Sequence, residues 1–353
     1  MKADRLSRKT HLKKLPVKAA KSVQEYDLTI SDEGSDFFCM MGDIEQPRYD
    51  DGFDRSFDMQ QSFVSDEDIF AWCSHVIAES PTALSLWSHA IEQGWTISLS
   101  CLDETGYSID IENRVVTMDH FGLSPEALGR SAYFRNAFLT VLIRALRDIW
   151  HEERFDPFEE NFAPEQVLML ERIRLADCDS VTVLAIWELR GAGYSDIWRH
   201  LIGSEEGDMA LIFMRFLERD PTALFDGTAL AYTFRQWYAD DARVNACDHE
   251  ALENLDNLLE EKGSRNPFGQ LCADEKILEE LSELPDGMMY LSGLADQILS
   301  DPYFSGLNDA INQSHLFHLI YDIQVKMVNN VPFRDGKLAR KIFPDGDVTS
   351  VWR

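Results

Sequence analysis

One stretch of a long predicted helix, Leu142–Glu153, constrains the fold of this chain more than any other segment. Apolar residues recur every three or four positions and line one face of the helix: Phe138, Leu142, Leu146 and Ile149. Further apolar side chains cover most of the remaining helix surface, which predicts a helix buried within a domain. Arg144, Asp148 and His151 nevertheless share one narrow stripe, and buried charges are costly unless they are paired or coordinated. The spacing of Arg144 and Asp148 predicts an ion pair between them.

A second long helix is predicted to start at Ala163-Pro164-Glu165 and to run to Leu189-Arg190, where Gly191 and Gly193 stop it. Glu171, Arg174 and Asp177 are spaced at i, i+3 and i+6, so they lie roughly on one side of it. Packing of the two helices through their charged stripes would form one buried cluster of Arg144, Asp148, His151, Glu152, Glu171, Arg174 and Asp177. Such a cluster is either an interhelical ion-pair network or a metal or catalytic site. The spacing favours the network, because structural networks also gather charge.

Strand patterns are concentrated before the first long helix. Alternation with period two predicts short strands over Trp95–Cys101, Tyr107–Ile111 and Val115–Met118, which would form a small antiparallel sheet. Nearly all of the chain after Ser124 is predicted to be helical. The expected fold class is α+β and mainly α-helical, with the small sheet packed on the two long central helices.

Composition and periodicity divide the chain into three predicted segments. Residues 1–65 form a basic arm followed by an acidic stretch with little periodicity, and a largely disordered tail is expected there, with local docking by Phe37–Met40. Residues 66–262 form the main domain. Residues 263–353 form a helical C-terminal extension after a break rich in Gly, Ser, Asn and Pro.

Charge is distributed unevenly along the chain. The formal net charge is −29, yet residues 1–22 carry eight Lys or Arg and one Asp, a net of +7, which leaves −36 for the rest. An acidic body argues against broad binding of nucleic acid or anionic membranes by the folded part. The basic arm is expected to be solvated, with a weak contact to RNA or to the acidic body as the alternative.

Cysteine usage and hydropathy indicate the compartment. The six cysteines are widely spread and include no CxxC pair, which is typical of reduced thiols in a cytoplasm. No apolar run approaches the length of a membrane span, and the N-terminus lacks the apolar region of a secretory signal. A cytoplasmic location is therefore expected, while the oligomeric state stays open.

Several segments resemble an uncharacterised bacterial family catalogued as "putative metallopeptidases". They are LRDIWHEER, ERIRLADCD, AIWELRGAG, IWRHL, DPTALFDG and FRQWYAD, and the resemblance covers about residues 80–260. The order of strands, long helix and acidic second helix is similar to that of small zinc-peptidase domains, or zincins, whose first helix often contains HELRHAW. In that register the chain matches at Leu146, Arg147 and Trp150. The resemblance implies a zincin-like fold, a zinc cofactor and a peptide or protein substrate.

The ligand positions of that motif are changed in this chain. A zincin helix needs two His at i and i+4 to bind one Zn²⁺, with a Glu beside the first His as general base. Those positions hold Arg144, Ala145 and Asp148. A protonated Arg cannot ligate zinc, and Ala cannot act as a base.

Three functional hypotheses remain open on the sequence. A non-standard peptidase would use Asp148, His151 and Asp177 as the best available zinc ligands, with Glu171 as a substitute, and Glu152 as general base. A pseudoenzyme would carry an Arg144–Asp148 pair where its relatives bind metal. A non-enzymatic cytoplasmic interaction or scaffold protein would use the ion-pair cluster, Arg144, Asp148, Glu171 and Arg174, only as internal structure.

Overall fold

The computed structural model describes most of the chain. The described residues are 8–10, 37–44, 61–102, 106–262, 266–324, 326–328, 331–333, 341–342 and 348–350. The predicted disordered tail, with its basic arm and acidic stretch, lies mostly outside these residues. The predicted domain boundaries at 65 and 262 stay predictions.

The secondary structure is mainly helical with short strands. The helices are α1 (Asp66–Ile77), α2 (Pro81–Glu92), α3 (Pro125–Arg130), α4 (Ala132–Arg154), α5 (Phe158–Asn161), α6 (Pro164–Gly191), α7 (Ser195–Ile202), α8 (Gly207–Arg219), α9 (Thr228–Trp237), α10 (Asp241–Lys262), α11 (Glu275–Leu281), α12 (Ala295–Ser300), α13 (Pro302–Ser305) and α14 (Ala310–Gln324). Short 3-10 helices span Met41–Asp43 and Pro221–Leu224. The strands are β1 (Arg8–Thr10), β2 (Phe38–Met40), β3 (Thr96–Ser100), β4 (Tyr107–Asp110), β5 (Val115–Asp119), β6 (Lys326–Val328), β7 (Val331–Phe333) and β8 (Val348–Ser350). The α+β, mainly helical class is confirmed, whereas the zincin-like fold stays a prediction.

Two compact units divide these elements. The first unit comprises Met1–Arg154, Ala176–Trp237 and Ser282–Tyr290. The second comprises Phe155–Leu175, Tyr238–Leu281 and Leu291–Arg353. Because the division falls within α6, the charged stripe predicted on that helix is split: Glu171 and Arg174 belong to the second unit, and Asp177 belongs to the first.

The sheet of the first unit is mixed, so the prediction of a purely antiparallel sheet was wrong. Its strand order is β1-β4-β5-β3-β2. β4 and β5 form an antiparallel hairpin, but β3 pairs with β5 in parallel, and the Ser98 and Thr117 hydroxyl oxygens lie 2.8 Å apart across that pair. The connection over 101–106 is longer than a two-residue hairpin turn, so β3 and β4 do not have to be neighbours, and β5 lies between them.

Both outer strands of this sheet come from the segment predicted to be a disordered tail. β1 pairs antiparallel with β4, and β2 pairs antiparallel with β3. The ring of Phe37 stacks on Phe70 of α1 with the centroids 5.5 Å apart. The docking expected for Phe37–Met40 is therefore present, as β-pairing supported by an aromatic contact.

The two predicted long helices are α4 and α6. On α4, the side chains of the predicted apolar face are completely buried: Phe138, Leu142, Leu146 and Ile149. Along α6, most positions are buried. Charged groups on the buried parts of these helices therefore have to find partners within the protein.

The second unit contains α5, the first part of α6, α10 to α14 and a small antiparallel sheet of order β7-β6-β8. A buried ion pair joins Arg172 of α6 to Asp248 of α10. Arg172 also donates from Nη1 to the backbone oxygens of Phe304, at 3.1 Å, and Gly306, at 2.8 Å. In the part of the chain that is described, no helix combines the length and the apolar character needed to cross a membrane.

Candidate functional site

The first unit holds a cluster of buried polar side chains contributed by α4, α6 and the segment after α11. We define the Asp177 cluster as Arg147 and His151 of α4, Asp177 of α6, and Tyr290. Arg147 and His151 are spaced at i and i+4, so both side chains project from the same side of α4. Asp177 is fully buried, and His151 is only 1% exposed.

The Asp177 carboxylate accepts hydrogen bonds at both of its oxygens. Arg147 donates in a bidentate manner, from Nε to Oδ2 at 2.6 Å and from Nη2 to Oδ1 at 3.1 Å. Tyr290 donates its hydroxyl hydrogen to Oδ1 at 2.7 Å, and His151 Nε2 lies 2.7 Å from Oδ2. Four hydrogen bonds from three partner side chains match the roughly four acceptor positions of a carboxylate, so this buried anion is fully satisfied.

Electrostatics keep Asp177 ionised despite its burial. Burial alone raises the pKa of the carboxyl group, but the positive charge of Arg147 and the hydrogen bonds from His151 and Arg147 outweigh that effect and hold the pKa at about 2. For Arg147 the two effects have the opposite signs: burial lowers the pKa of its guanidinium group, and the charge of Asp177 raises that pKa above its ordinary value. The pKa of Tyr290 is raised by burial and by the adjacent Asp177 charge, so its hydroxyl keeps the proton that it donates.

Arg147 is held by contacts on several sides. Besides Asp177, it donates from Nη1 to the backbone oxygen of Glu283 at 2.9 Å. Its guanidinium carbon lies 5.9 Å from the centroid of the Trp150 ring. The cation is therefore fixed in position as well as charged.

A second, largely buried ion pair lies on the same two helices and corrects the predicted Arg144–Asp148 pair. Arg144 Nε lies 2.9 Å from Oδ1 of Asp179 on α6, and Trp237 donates from Nε1 to Oδ2 of Asp179 at 2.8 Å. Burial lowers the pKa of Arg144, but the charge of Asp179 raises it above its ordinary value. Arg144 therefore pairs across the helix interface and not along its own helix.

Asp148, a predicted zinc ligand, is bound to the sheet. Its Oδ2 accepts a hydrogen bond from the hydroxyl of Tyr107 on β4 at 3.0 Å, and both side chains are buried. Arg144 and Asp148 thus each bind a residue on another element, and helical spacing could not predict such long-range contacts.

The other predicted site residues, Glu152, Glu171 and Arg174, do not belong to the Asp177 cluster. Glu152, the predicted general base, follows His151 and is half-buried. Glu171 and Arg174 form an ion pair with each other within the second unit, with Arg174 Nε 3.1 Å from Glu171 Oε2. Of the predicted ligands, His151 and Asp177 are in direct contact.

Three side chains of types that can bind a metal ion lie close together, and two of them are the predicted ligands that are in contact. Candidate ligand atoms of His151, Asp177 and the fully buried Cys178 all lie within 4.8 Å of one another. Imidazole nitrogen, carboxylate oxygen and thiolate sulfur are the usual zinc ligands, so the residue types suit the metal. The Asp177 oxygens, however, are already bound by Arg147, His151 and Tyr290, and Arg147 is a fixed positive charge on the same carboxylate. With Arg147 in this position, the group does not fit a zinc ion.

Sequence reasoning missed four residues that define these sites: Arg147, Tyr290, Asp179 and Tyr107. For Arg147 a signal existed, because it lies one helical turn before His151 on α4. Asp179 lies two residues after Asp177, in a segment already noted for its acidic side chains. Tyr107 and Tyr290 are distant in sequence from both helices, so only the tertiary fold brings them to Asp148 and Asp177.

Comparison with known proteins gives one family for this region. Neither the curated proteins nor the solved structures contain a match to the chain. The matched part of the chain holds α4, α6 and Tyr290, and therefore all of the Asp177 cluster. Residues 131–292 match the model of the family described as "Putative metallopeptidase family (DUF6782)", which confirms the metallopeptidase-family resemblance found in the sequence.

Proposed function

We propose that this chain is a metallopeptidase-like protein that does not hydrolyse peptides and instead works by binding other proteins. The observation that carries the proposal is the set of hydrogen bonds that the Asp177 carboxylate accepts. Its carboxylate, the most buried acidic group near His151, accepts a bidentate pair of hydrogen bonds from Arg147 and a further one from Tyr290. A protein cation thus takes the position in which a metal ion would bind this carboxylate.

The positions of the zincin motif support the same proposal. Zinc hydrolysis needs ligands that leave one metal position open to water and substrate, together with a base near that water. Arg144 stands at the first ligand position of the motif and is paired with Asp179. Ala145 stands at the position of the base. The motif supplies a first ligand, a base and a second ligand. The first ligand and the base are therefore missing from their positions in this chain.

A zinc-dependent peptidase with non-standard ligands is the second candidate. The grouping of His151, Asp177 and Cys178 favours it, since these residue types bind zinc. In this alternative, Asp148, His151 and Asp177 would hold the metal, and Glu152 would act on a metal-activated water. It requires the metal to displace Arg147 from Asp177, which argues for the first candidate.

The partners proposed for the non-enzymatic protein follow from its charge. The chain after residue 22 carries a formal charge of −36, which favours cationic protein segments and disfavours nucleic acid.

All six cysteines lie in the described residues and no disulfide joins any two of them, which supports the proposal of a reducing, cytoplasmic environment.

A peptidase assay tests the proposed function. The parent protein, a Glu152→Gln variant and a His151→Ala variant are each incubated with zinc and a mixed peptide library, and new peptide termini are counted by mass spectrometry. We expect no cleavage by the parent above the level of the two variants, because residual cleavage would come from contaminating proteases. Cleavage by the parent that is lost in Glu152→Gln would overturn the proposal and establish the second candidate.

A further inference from the structure

We propose that the Arg147 guanidinium is the resident cation of a latent metal site formed by His151, Asp177 and Cys178, and that it excludes transition-metal ions from that site. The inference rests on the proposed function and explains how a suitable set of donors exists in a chain without metal-dependent activity. Removal of this one guanidinium is expected to convert the group into a zinc site.

The geometry of the three donors is close to that of a zinc site. Their candidate ligand atoms lie within 4.8 Å of one another, and His151 Nε2 is 2.7 Å from Asp177 Oδ2. Zinc bonds of about 2.0–2.3 Å place the ligand atoms of a tetrahedral ion about 3.3–3.8 Å apart. Side-chain rotations that move the ligand atoms by about 1 Å would therefore bring the three donors to one ion.

The position of Arg147 explains why an ion does not enter. Nε and Nη2 both donate to the Asp177 carboxylate, while Nη1 donates to the backbone of Glu283. Arginine keeps its proton in proteins, so this positive charge cannot be removed by a competing metal. A divalent ion on Asp177 would have to approach a fixed cation that is bound to the same two oxygens.

Charge balance indicates that zinc can replace the guanidinium. The Asp177 carboxylate and Arg147 sum to zero in the parent protein. In a chain without Arg147, Zn²⁺, the Asp177 carboxylate and a Cys178 thiolate also sum to zero. Binding would release the Cys178 thiol proton to solvent and form Zn–O, Zn–S and Zn–N bonds, with His151 ligating through Nε2 and carrying its ring proton on Nδ1.

The test uses the full chain with Arg147→Met, which removes the charge but keeps a long side chain with a high helix propensity. The matched control is Arg154→Met, because Arg154 lies on the same helix with its guanidinium carbon 4.9 Å from the Trp150 ring centroid. Zinc ions alone and cobalt ions alone are the probes. The readouts are metal per chain by mass spectrometry and the absorption of a cobalt–thiolate bond.

We expect about one zinc per chain and a cobalt–thiolate absorption in Arg147→Met, and neither in the parent or in Arg154→Met. A second substitution, Cys178→Ala, should abolish the cobalt–thiolate absorption. A folded Arg147→Met protein without metal would overturn this inference and leave the proposed function standing. Stoichiometric zinc in the parent, lost on His151→Ala, would overturn the proposed function itself.

A variant that keeps hydrogen-bond donors covers the case in which Arg147→Met does not fold. Arg147→Gln retains amide N–H donors for Asp177, removes the permanent charge and adds no imidazole that could itself bind zinc. Zinc binding by this variant, or folding of either variant only when zinc is present, supports the inference. A folded Arg147→Gln protein that binds no zinc, or failure of both variants to fold with zinc present, contradicts it.

Discussion

At the scale of single residues, Asp177 is the group on which the candidate site depends. It is fully buried and ionised, and four donors from three side chains balance its charge: two from Arg147 and one each from His151 and Tyr290. A buried ion pair contributes little net stability compared with a well-packed apolar pair, but removing one partner leaves an uncompensated charge. Removing the charge of Asp177 is therefore expected to lower the free energy of unfolding strongly.

Asp177→Asn keeps the shape of the side chain and removes its charge, which leaves Arg147 buried without a counter-ion. We expect the free energy of unfolding to fall by about 3–5 kcal/mol. The measurement is urea unfolding followed by circular dichroism. Asp196→Asn is the control, because its partner Arg199 has a side chain that is 73% exposed, and such pairs contribute about 0–1 kcal/mol. Equal losses in the two variants would contradict the assignment of Asp177 as a buried, charge-balanced group.

The pKa of Asp177 makes stability depend on pH in the acid range. A folded-state pKa of about 2, below the ordinary 3.8, means that the stabilisation is complete above the ordinary pKa and is lost as the pH falls through about 2. Unfolding experiments at about pH 5 and about pH 3 should show the difference between the parent and Asp177→Asn narrowing by about 1 kcal/mol. A difference that stays constant over this range would show that Asp177 is not ionised in the folded protein with a depressed pKa.

At the scale of secondary-structure elements, α6 organises the first unit by binding other elements through its charged side chains. Asp177 and Asp179 bind arginines of α4, and Glu188 binds the start of α2. Glu188 accepts hydrogen bonds from the Ser80 hydroxyl, at 2.5 Å, and from the backbone and hydroxyl of Thr82, at 3.0 and 2.8 Å. The carboxylate thus satisfies donors at the N-terminus of α2, where a negative charge is also favoured by the helix dipole.

Glu188→Ala should therefore weaken the attachment of α2. The Thr82 backbone N–H and two hydroxyls lose their acceptor, and we expect a decrease in the free energy of unfolding of about 1–3 kcal/mol. Glu218→Ala on α8 is the matched control, since Glu218 is exposed, and it should change stability by about 0.5 kcal/mol or less. Urea unfolding of both variants checks the prediction, and a loss in Glu188→Ala no larger than in the control would contradict it.

The turn before α9 is fitted closely to the segment that carries Tyr290. Gly227 has φ +76°, and a Cβ built there would lie 2.8 Å from the Cβ of Tyr290. Gly287 has φ +88°, and nothing lies within 4 Å of the position that a methyl group would take there. Both positions favour glycine through their backbone conformation, but only Gly227 also needs the space.

Comparison of Gly227→Ala with Gly287→Ala separates these two effects. Both variants carry the cost of a left-handed conformation, about 1–2 kcal/mol. Gly227→Ala should cost about 1–3 kcal/mol more, because the new methyl group displaces Tyr290. Thermal and urea unfolding of the two variants give this difference directly, and equal costs would refute the close contact between Gly227 and Tyr290.

At the scale of the whole molecule, the sequence predicted what depends on local periodicity. The apolar repeat around Leu142 indicated α4 and its burial, the Pro and Gly residues at its ends indicated α6, and the strand patterns indicated β3, β4 and β5. The predictions that failed depended on contacts between distant residues. The parallel pairing of β3 with β5 and the partner of Arg144 are set by tertiary packing, which spacing along one helix does not encode.

The candidate site was partly predictable for the same reason. His151 and Asp177 were both selected by residue type and helical position, and the structure brings them into contact at 2.7 Å. The cation bound to Asp177 was missed, because the predicted charged stripe of α4 ran through Arg144 and Asp148 and not through Arg147. Tyr290 lies 113 positions after Asp177, a separation at which no sequence pattern indicates contact.

The metal content of the untagged parent protein, purified without chelator, shows whether Arg147 occupies the place of a metal ion at Asp177. It is measured by mass spectrometry beside an Asp148→Ala, His151→Ala double variant, together with the melting temperature in the presence and absence of zinc. We expect well below one zinc per chain in both proteins and a parent melting temperature that does not respond to zinc. About one zinc per chain in the parent, lost in the double variant, would contradict the claim that a protein cation has replaced the metal.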